Sequence, residues 1–346
     1  MKENQVIQGR IVSLEEIAPR IFEVWIQAPE TAASARPGMF VNLYPEDGAT
    51  LLPRPISVCQ VAGDQVGLVF RAIGKGTLEL AAARVGDTVR ISTALGNGFT
   101  IQEAGVSVLI GGGLGVPPMV ALAKEVKGTK IAVIGFAQDP FLVRELEEAG
   151  CQVHVALEGR DGTVLDLMNA NGIKGDAYYA CGPRPMLKAL ASWCEQRGQE
   201  IQVSMEERMG CGYGACVGCT CDTKGGRKKV CLDGPVFWGS QIQWEETKTV
   251  PAAPGTSGSV GPVGSDQIDL GITLCGVPWS NPISTASGTF APLENGSFYD
   301  LNALGAMITK GVALESWSGN PTPRIAETPG GMLNAIGLEN PGIEEF

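Results

Sequence analysis

Five of the chain's ten cysteines fall between residues 211 and 231, and four of these are spaced for metal chemistry. Cys211, Cys216, Cys219 and Cys231 read C-x4-C-x2-C, with the fourth cysteine after eleven further residues. That is the ligand spacing of plant-type [2Fe–2S] loops. One loop must wrap the irons and present three thiolates, so small residues must separate them. Gly210, Gly212, Gly214, Ala215 and Gly218 do so here, leaving backbone N–H groups free to point at sulfur and tune the centre. A zinc ribbon would usually show two C-x2-C knuckles or mixed Cys/His ligands. The only histidine, His154, is far away in sequence and lies in an apolar strand, where it reads as a packed residue. Cys221 reads as a bystander, and Cys59, Cys151, Cys181, Cys194 and Cys275 as buried small hydrophobes.

A one-electron cluster cannot accept a hydride, so coupling it to a nicotinamide nucleotide requires a flavin. Four further motifs bear on this. RPIS (Arg54 to Ser57) reads as the end of a barrel strand, and an Arg fork suits a diphosphate. FRAIGKGT (Phe70 to Thr77) pairs a strand with a turn whose amides could cradle phosphate. LIGGGLGVPPM (Leu109 to Met119) delivers a strand into glycines at the start of a helix, an arrangement that suits a dinucleotide phosphate. It is not a G-x-G-x-x-G fingerprint, because the glycines stop at Gly115 and two prolines follow. ACGPRPML (Ala180 to Leu187) again ends a strand and opens a helix. Either of the last two could also be an ordinary tight βα turn.

Taken in order, these motifs resemble the ferredoxin reductase-like family. The resemblance implies FAD contacts at Arg54, Pro55, Ile56, Ser57, Arg71, Ala72, Ile73, Gly76 and Thr77, with Arg54 on the pyrophosphate and Ser57 beside the flavin ring. It implies nicotinamide nucleotide contacts at Gly111, Gly112, Gly113, Leu114, Gly115, Val116, Pro117, Cys181, Gly182 and Pro183. No residue is assigned as a catalytic acid or base, since hydride transfer to flavin needs none.

Three kinds of element must position these residues. Residues 1–101 read as short alternating strands with turn signals between them, the pattern of a small antiparallel barrel. Residues 102–203 alternate buried strands with helical periodicities, the pattern of a doubly wound α/β domain with a parallel sheet. Residues 204–247 form the Gly/Cys-rich module. A Pro/Gly/Ser-rich linker follows over 248–266, and patterned sequence resumes over 267–346.

Composition narrows the partners. With 44% hydrophobic and 18% charged residues the chain is globular in character. A net charge of −11 argues against a nucleic-acid partner, which requires clustered Lys and Arg. No apolar run approaches the roughly 20 residues needed to cross a bilayer, and the amino terminus lacks a signal-peptide core. A cytoplasmic, membrane-free protein is expected, in which ten cysteines are not disulfides.

Motif order together with the closing CLDGPVF resembles the electron-transfer subunits of class B dihydroorotate dehydrogenase, over about 245 residues. That resemblance implies FAD, a [2Fe–2S] cluster and NAD(H), with FMN on a partner catalytic subunit in a heterotetramer of two of each. Its context is pyrimidine (UMP) biosynthesis. NAD over NADP follows from the resemblance, because no Arg cluster marks a 2′-phosphate, although Arg160 and Arg184 are candidates. The segment after the linker resembles the opening of the catalytic dihydroorotate dehydrogenase barrel. This implies FMN contacts at Ala286, Ser287, Lys310 and Gly311, and substrate contacts at Lys310, Asn334, Ala335, Ile336, Gly337 and Leu338. A complete (β/α)8 barrel takes about 250 residues, so this partial barrel is expected not to oxidise dihydroorotate alone. Two other readings fit the same motifs: a ferredoxin–NAD(P) reductase-type subunit of a hydrogenase or transhydrogenase, and a non-catalytic electron carrier.

Overall fold

A computed structural model describes residues 5–46, 50–244, 270–288, 300–328 and 330–344. The linker expected over 248–266 lies outside the described residues. The chain divides into two units, one of residues 1–245 with 322–334, the other of residues 246–321 with 335–346.

The first unit begins with the barrel. Its elements are β1 (Val6–Ala18), β2 (Ile21–Gln27), the one-turn α1 (Pro29–Ser34), β3 (Phe40–Tyr44), β4 (Arg54–Ala62), β5 (Gln65–Arg71), α2 (Lys75–Ala81) and β6 (Thr88–Ser92). The six strands close in the order β1-β2-β5-β4-β3-β6, all pairings antiparallel, so no edge is left open. Period-two alternation sends Val24, Ile26, Val66, Leu68 and Ile91 inward, where each is fully buried. Burying such a side chain stabilises by roughly 1.5–3 kcal/mol.

The α/β part follows: β7 (Val106–Gly112), α3 (Val116–Glu125), β8 (Thr129–Phe136), α4 (Val143–Glu148), β9 (Cys151–Leu157), α5 (Val164–Ala170), β10 (Ala177–Cys181), α6 (Arg184–Glu195) and β11 (Ile201–Ser204). After β7 a short 3-10 turn over Gly113–Gly115 leads into α3. The five strands are parallel, in the order β11-β10-β7-β8-β9. Alternation along β7 serves both faces. Val108 and Ile110 pack in one core with Leu187 and Leu190 of α6, and Leu109 packs in the other with Met119 and Leu122 of α3. The helical periodicity around residue 140 suggests a longer helix than forms. Leu142 is left-handed at φ 61°, so α4 starts only at Val143.

The Gly/Cys-rich stretch contributes the hairpin of β12 (Thr220–Thr223) and β13 (Gly226–Lys229), then β14 (Val236–Trp238). β14 pairs antiparallel with β11, so the chain's return from the cysteine module supplies a sixth strand to the sheet.

In the second unit β15 (Ile272–Leu274) and β16 (Val277–Trp279) form a short hairpin. Cys275 occupies its turn at φ 51° and is exposed, correcting the expectation that it is buried. A parallel bridge between Ser284 and Ala306 sets two chain segments side by side. The hairpin of β17 (Ile325–Thr328) and β18 (Gly331–Asn334) belongs to the first unit.

Candidate functional site

The cysteine loop is shaped by backbone conformations that small residues permit. Gly212 and Gly214 take φ of +81° and +96°, and Val217 takes +54°. A Cβ on Gly212 would lie 2.4 Å from the Asn42 amide nitrogen. Glycine is therefore required twice over, for its φ and for the close approach. The same amide of Asn42, on β3, donates to the Cys211 carbonyl at 2.8 Å and ties the loop to the barrel. Cys219 and Cys231 are buried, while Cys211 and Cys216 are partly exposed.

Backbone N–H groups point at sulfur as the sequence suggests. Gly214 N–H donates to Cys231 Sγ at 3.1 Å, Cys216 N–H to Cys211 Sγ at 3.4 Å, and Cys231 N–H to Cys219 Sγ at 3.4 Å. The thiols also bond one another: Cys211 with Cys216 and Cys231, and Cys231 with Cys219. Hydrogen bonds from its neighbours hold the Cys211 thiol well below its ordinary range, and Cys219 is lowered by Cys231. The donors Cys216 and Cys231 are correspondingly raised. Four neighbouring thiols, met by backbone N–H groups, suit a group bound by thiolates. Among the described residues no three His, Cys, Asp or Glu side chains are arranged for a single metal ion. A two-iron centre takes two thiolates on each iron, so its four ligands need not meet at one ion. Cys221 stands apart on β12, where burial pushes its thiol up to about 12.

Beside this loop a cavity of about 510 Å³ is lined by Phe40, Pro55 and Ser57 from the barrel, by Cys181 and Ser204 from the sheet, and by Met205 just after it. Its size falls in the range of small-molecule sites, roughly 300–1,000 Å³. Burial raises Glu207, also on its wall, above the ordinary carboxyl range. Arg54 and Gly76 come together as expected: a Cβ on Gly76 would meet Arg54 Nε at 2.7 Å, so the guanidinium lies flat against the turn. Arg54 Nη1 donates to the Leu52 carbonyl at 2.9 Å. In the turn, Ile73 and Gly74 N–H groups both donate to Thr77 Oγ1 at 3.1 Å. The Ala72 carbonyl accepts from Arg20 Nε at 3.0 Å, and Arg71 and Ile73 face solvent. Arg54 and Gly76 line a second cavity of about 400 Å³, and an Arg fork beside a Gly/Thr turn fits the diphosphate of a flavin dinucleotide.

The two glycine turns meet at the carboxyl edge of adjacent strands, with Cys181 in register with Gly111. A Cβ on Gly115 would sit 2.1 Å from the Cys181 carbonyl oxygen, and one on Gly112 would lie 3.0 Å from Pro183 Cδ. Gly182 lies against Gly112 at φ +152°. In strand order β7 and β10 are neighbours from which the chain winds in opposite directions, the switch point where doubly wound sheets bind ligands. Leu114 borders this turn half-buried, and Val116 and Pro117 open α3 fully buried. Both candidate 2′-phosphate arginines are already engaged. Arg160 pairs with Asp161 at 2.9 Å, and Arg184 donates to the Gln243 carbonyl at 3.1 Å and stacks 5.8 Å from the Trp244 ring.

In the tail, Lys310 Nζ reaches the Gly288 carbonyl at 3.5 Å, one residue past Ala286 and Ser287, and Thr285 Oγ1 exchanges hydrogen bonds with Ile308. Gly311 accepts from the Asn340 side chain. The Ala335, Ile336 and Gly337 carbonyls accept from Asn320 and Trp317, and Leu338 is exposed. Asn334 lies on β18, in the other unit, and so is not grouped with them. Sequence reasoning missed Asn42, Phe40, Ser204 and Met205. Asn42 did carry a signal, as a polar residue amid the apolar run FVNLY.

Two family descriptions match: the iron–sulfur cluster binding domain of dihydroorotate dehydrogenase B over residues 206–243, and dihydroorotate dehydrogenase over residues 269–346. The dihydroorotate dehydrogenase B (NAD(+)) electron transfer subunit of Geobacillus thermodenitrificans is 39% identical over 249 residues, covering 67% of this chain and 96% of that protein. The subunit of the same name from Caldanaerobacter subterraneus is 35% identical over 245 residues, covering 68% and 98%. Among solved structures, an NADH-dependent reduced ferredoxin–NADP oxidoreductase studied for flavin-based electron bifurcation matches with a TM-score of 0.62. It is 29% identical and covers 68% of this chain and 90% of that one.

Proposed function

Because this chain belongs to the family of dihydroorotate dehydrogenase B (NAD+) electron transfer subunits, we propose the following path for its electrons. They leave dihydroorotate through FMN on a catalytic subunit and pass through a [2Fe–2S] cluster and FAD to NAD+, in pyrimidine (UMP) biosynthesis. The observation that carries this reading is adjacency. Asn42 bonds the cysteine loop to the barrel strand next to the cavity walled by Pro55, Ser57 and Cys181. The four cysteines, this cavity and the two glycine turns share one unit, which supports the reading.

In this reading Cys211, Cys216, Cys219 and Cys231 hold the irons as thiolates, and the loop's N–H groups stabilise charge on sulfur. Arg54 clamps the FAD diphosphate, Pro55 to Ser57 border the flavin, and Arg71 to Ile73 with Gly76 and Thr77 complete the cradle. Gly111 to Pro117 and Cys181 to Pro183 seat NAD(H), because glycines there let the nucleotide approach backbone. NAD over NADP follows the relatives, which are NAD(+) electron transfer subunits. When bound, FAD supplies the conversion between an electron pair and single electrons. The catalytic partner brings FMN, in a heterotetramer of two of each chain. On a complete barrel, Ala286, Ser287, Lys310 and Gly311 would contact FMN, and Lys310 with Asn334 to Leu338 the substrate. Among the described residues no helix is long and apolar enough to cross a membrane, and the reading places the protein in the cytoplasm.

Anaerobic purification tests the reading. About two irons and two labile sulfides per chain, one FAD, and flavin bleaching by NADH are expected. Zinc in place of iron, or a flavin that NADH does not reduce, would overturn it. Dihydroorotate-dependent NAD+ reduction after addition of a catalytic subunit separates this role from that of a reductase subunit in another complex.

A further inference from the structure

The hairpin β17–β18 and the three residues leading into it occupy the neighbourhood assigned to FAD. Thr322 and Pro323 line the same cavity as Pro55, Ser57 and Cys181. Arg324 is only 1% exposed and reaches the Val217 carbonyl at 3.4 Å. Ile325 is also buried, its Cδ1 3.1 Å from where a Cβ on Gly210 would stand. The hairpin then presents Glu327 to Arg54. Glu327 Oε2 is 2.5 Å from Arg54 Nη2, and Oε1 accepts from the Leu52 N–H at 3.2 Å and from Arg54 Nη1 at 3.4 Å. An Arg fork and a backbone N–H converging on one anion recognise carboxylate and phosphate by the same geometry. Glu327 takes the Leu52 N–H and both terminal nitrogens of Arg54, so a second anion on the same donors would have to displace it.

We propose that this hairpin is a built-in competitor for the cofactor: Glu327 holds the Leu52–Arg54 anion seat until a dinucleotide diphosphate displaces it. The proposal rests on the FAD reading above. Flavin-free protein is then closed by its own carboxylate, and flavin binds only to the fraction in which the hairpin has left. The apparent affinity falls by that fraction.

Two measurements on the full chain test this, starting from flavin-stripped protein whose cluster absorbance is retained. In FAD titrations followed by flavin fluorescence, Glu327→Gln and Glu327→Ala are each expected to bind FAD at least about fivefold more tightly than wild type, because the competing charge is gone. In limited trypsin digestion read by mass spectrometry, cleavage after the buried Arg324 is expected to accelerate when FAD is added to wild type. If wild type and both variants bind FAD equally and Arg324 stays protected in the FAD complex, the competition is refuted while the FAD reading stands. If none of the three proteins binds FAD, the FAD reading itself fails and takes the proposal with it.

Discussion

Cys219 and Cys221 are two residues apart and both buried, yet only one belongs to the linked set of thiols. Cys219 bonds Cys231, whereas Cys221 sits on β12 opposite Lys228 with its thiol pushed up to about 12 by burial. Cys219→Ser is expected to drop iron and labile sulfide to background. Cys221→Ser is expected to keep both and to lower the unfolding free energy by about 1–3 kcal/mol, from placing a hydroxyl where a thiol was buried. Iron, sulfide and urea-unfolding measurements on the two variants check this. The spacing of the four cysteines could be read directly, because one loop must reach a compact centre from fixed chain positions. The contribution of Asn42 could not. Its amide meets the Cys211 carbonyl across 169 residues of chain, and no local pattern encodes that contact.

Helix α5 shows how an element defends its own start. Thr163 Oγ1 accepts from the Asp166 N–H at 3.2 Å, and Asp166 Oδ2 accepts from the Thr163 N–H at 2.8 Å, so each side chain satisfies an open donor of the first turn. Thr163→Ala is expected to cost about 1 kcal/mol in urea unfolding. The Thr163 backbone and hydroxyl donors lower the Asp166 carboxyl below its ordinary 3.8. A group depressed in the folded state stabilises above its unfolded value and loses that contribution as pH falls through the folded one. The stability gap between wild type and Asp166→Asn should therefore be present at pH 7 and shrink below about pH 4. A gap that does not change with pH would contradict the assignment. Most elements could be read from periodicity, because alternation and helical spacing are local. The late start of α4 and the docking of β14 on β11 could not, since the first depends on a left-handed Leu142 and the second on a distant edge strand.

At the scale of the molecule, the barrel, the nucleotide-type sheet and the cysteine module form one unit, and the tail contributes a single hairpin to it. Residues 269–346 match dihydroorotate dehydrogenase, and the relatives that match the rest are electron transfer subunits. An electron transfer subunit is expected to raise dihydroorotate-dependent NAD+ reduction when a catalytic subunit is added, and bound flavin is expected to bleach with NADH without one. Stopped-flow spectra with and without that subunit check both halves. The sequence by itself determined the cysteine spacing, the RPIS and glycine-turn motifs and the succession of barrel and parallel sheet. These are written in neighbouring residues, where chain geometry leaves few alternatives. Only the tertiary structure decided that β14 completes the sheet, that Asn42 anchors the cysteine loop, and that Glu327 reaches Arg54 across 273 residues. Such contacts arise when packing brings remote surfaces together, and nothing in the residues on either side of them records which surfaces will meet.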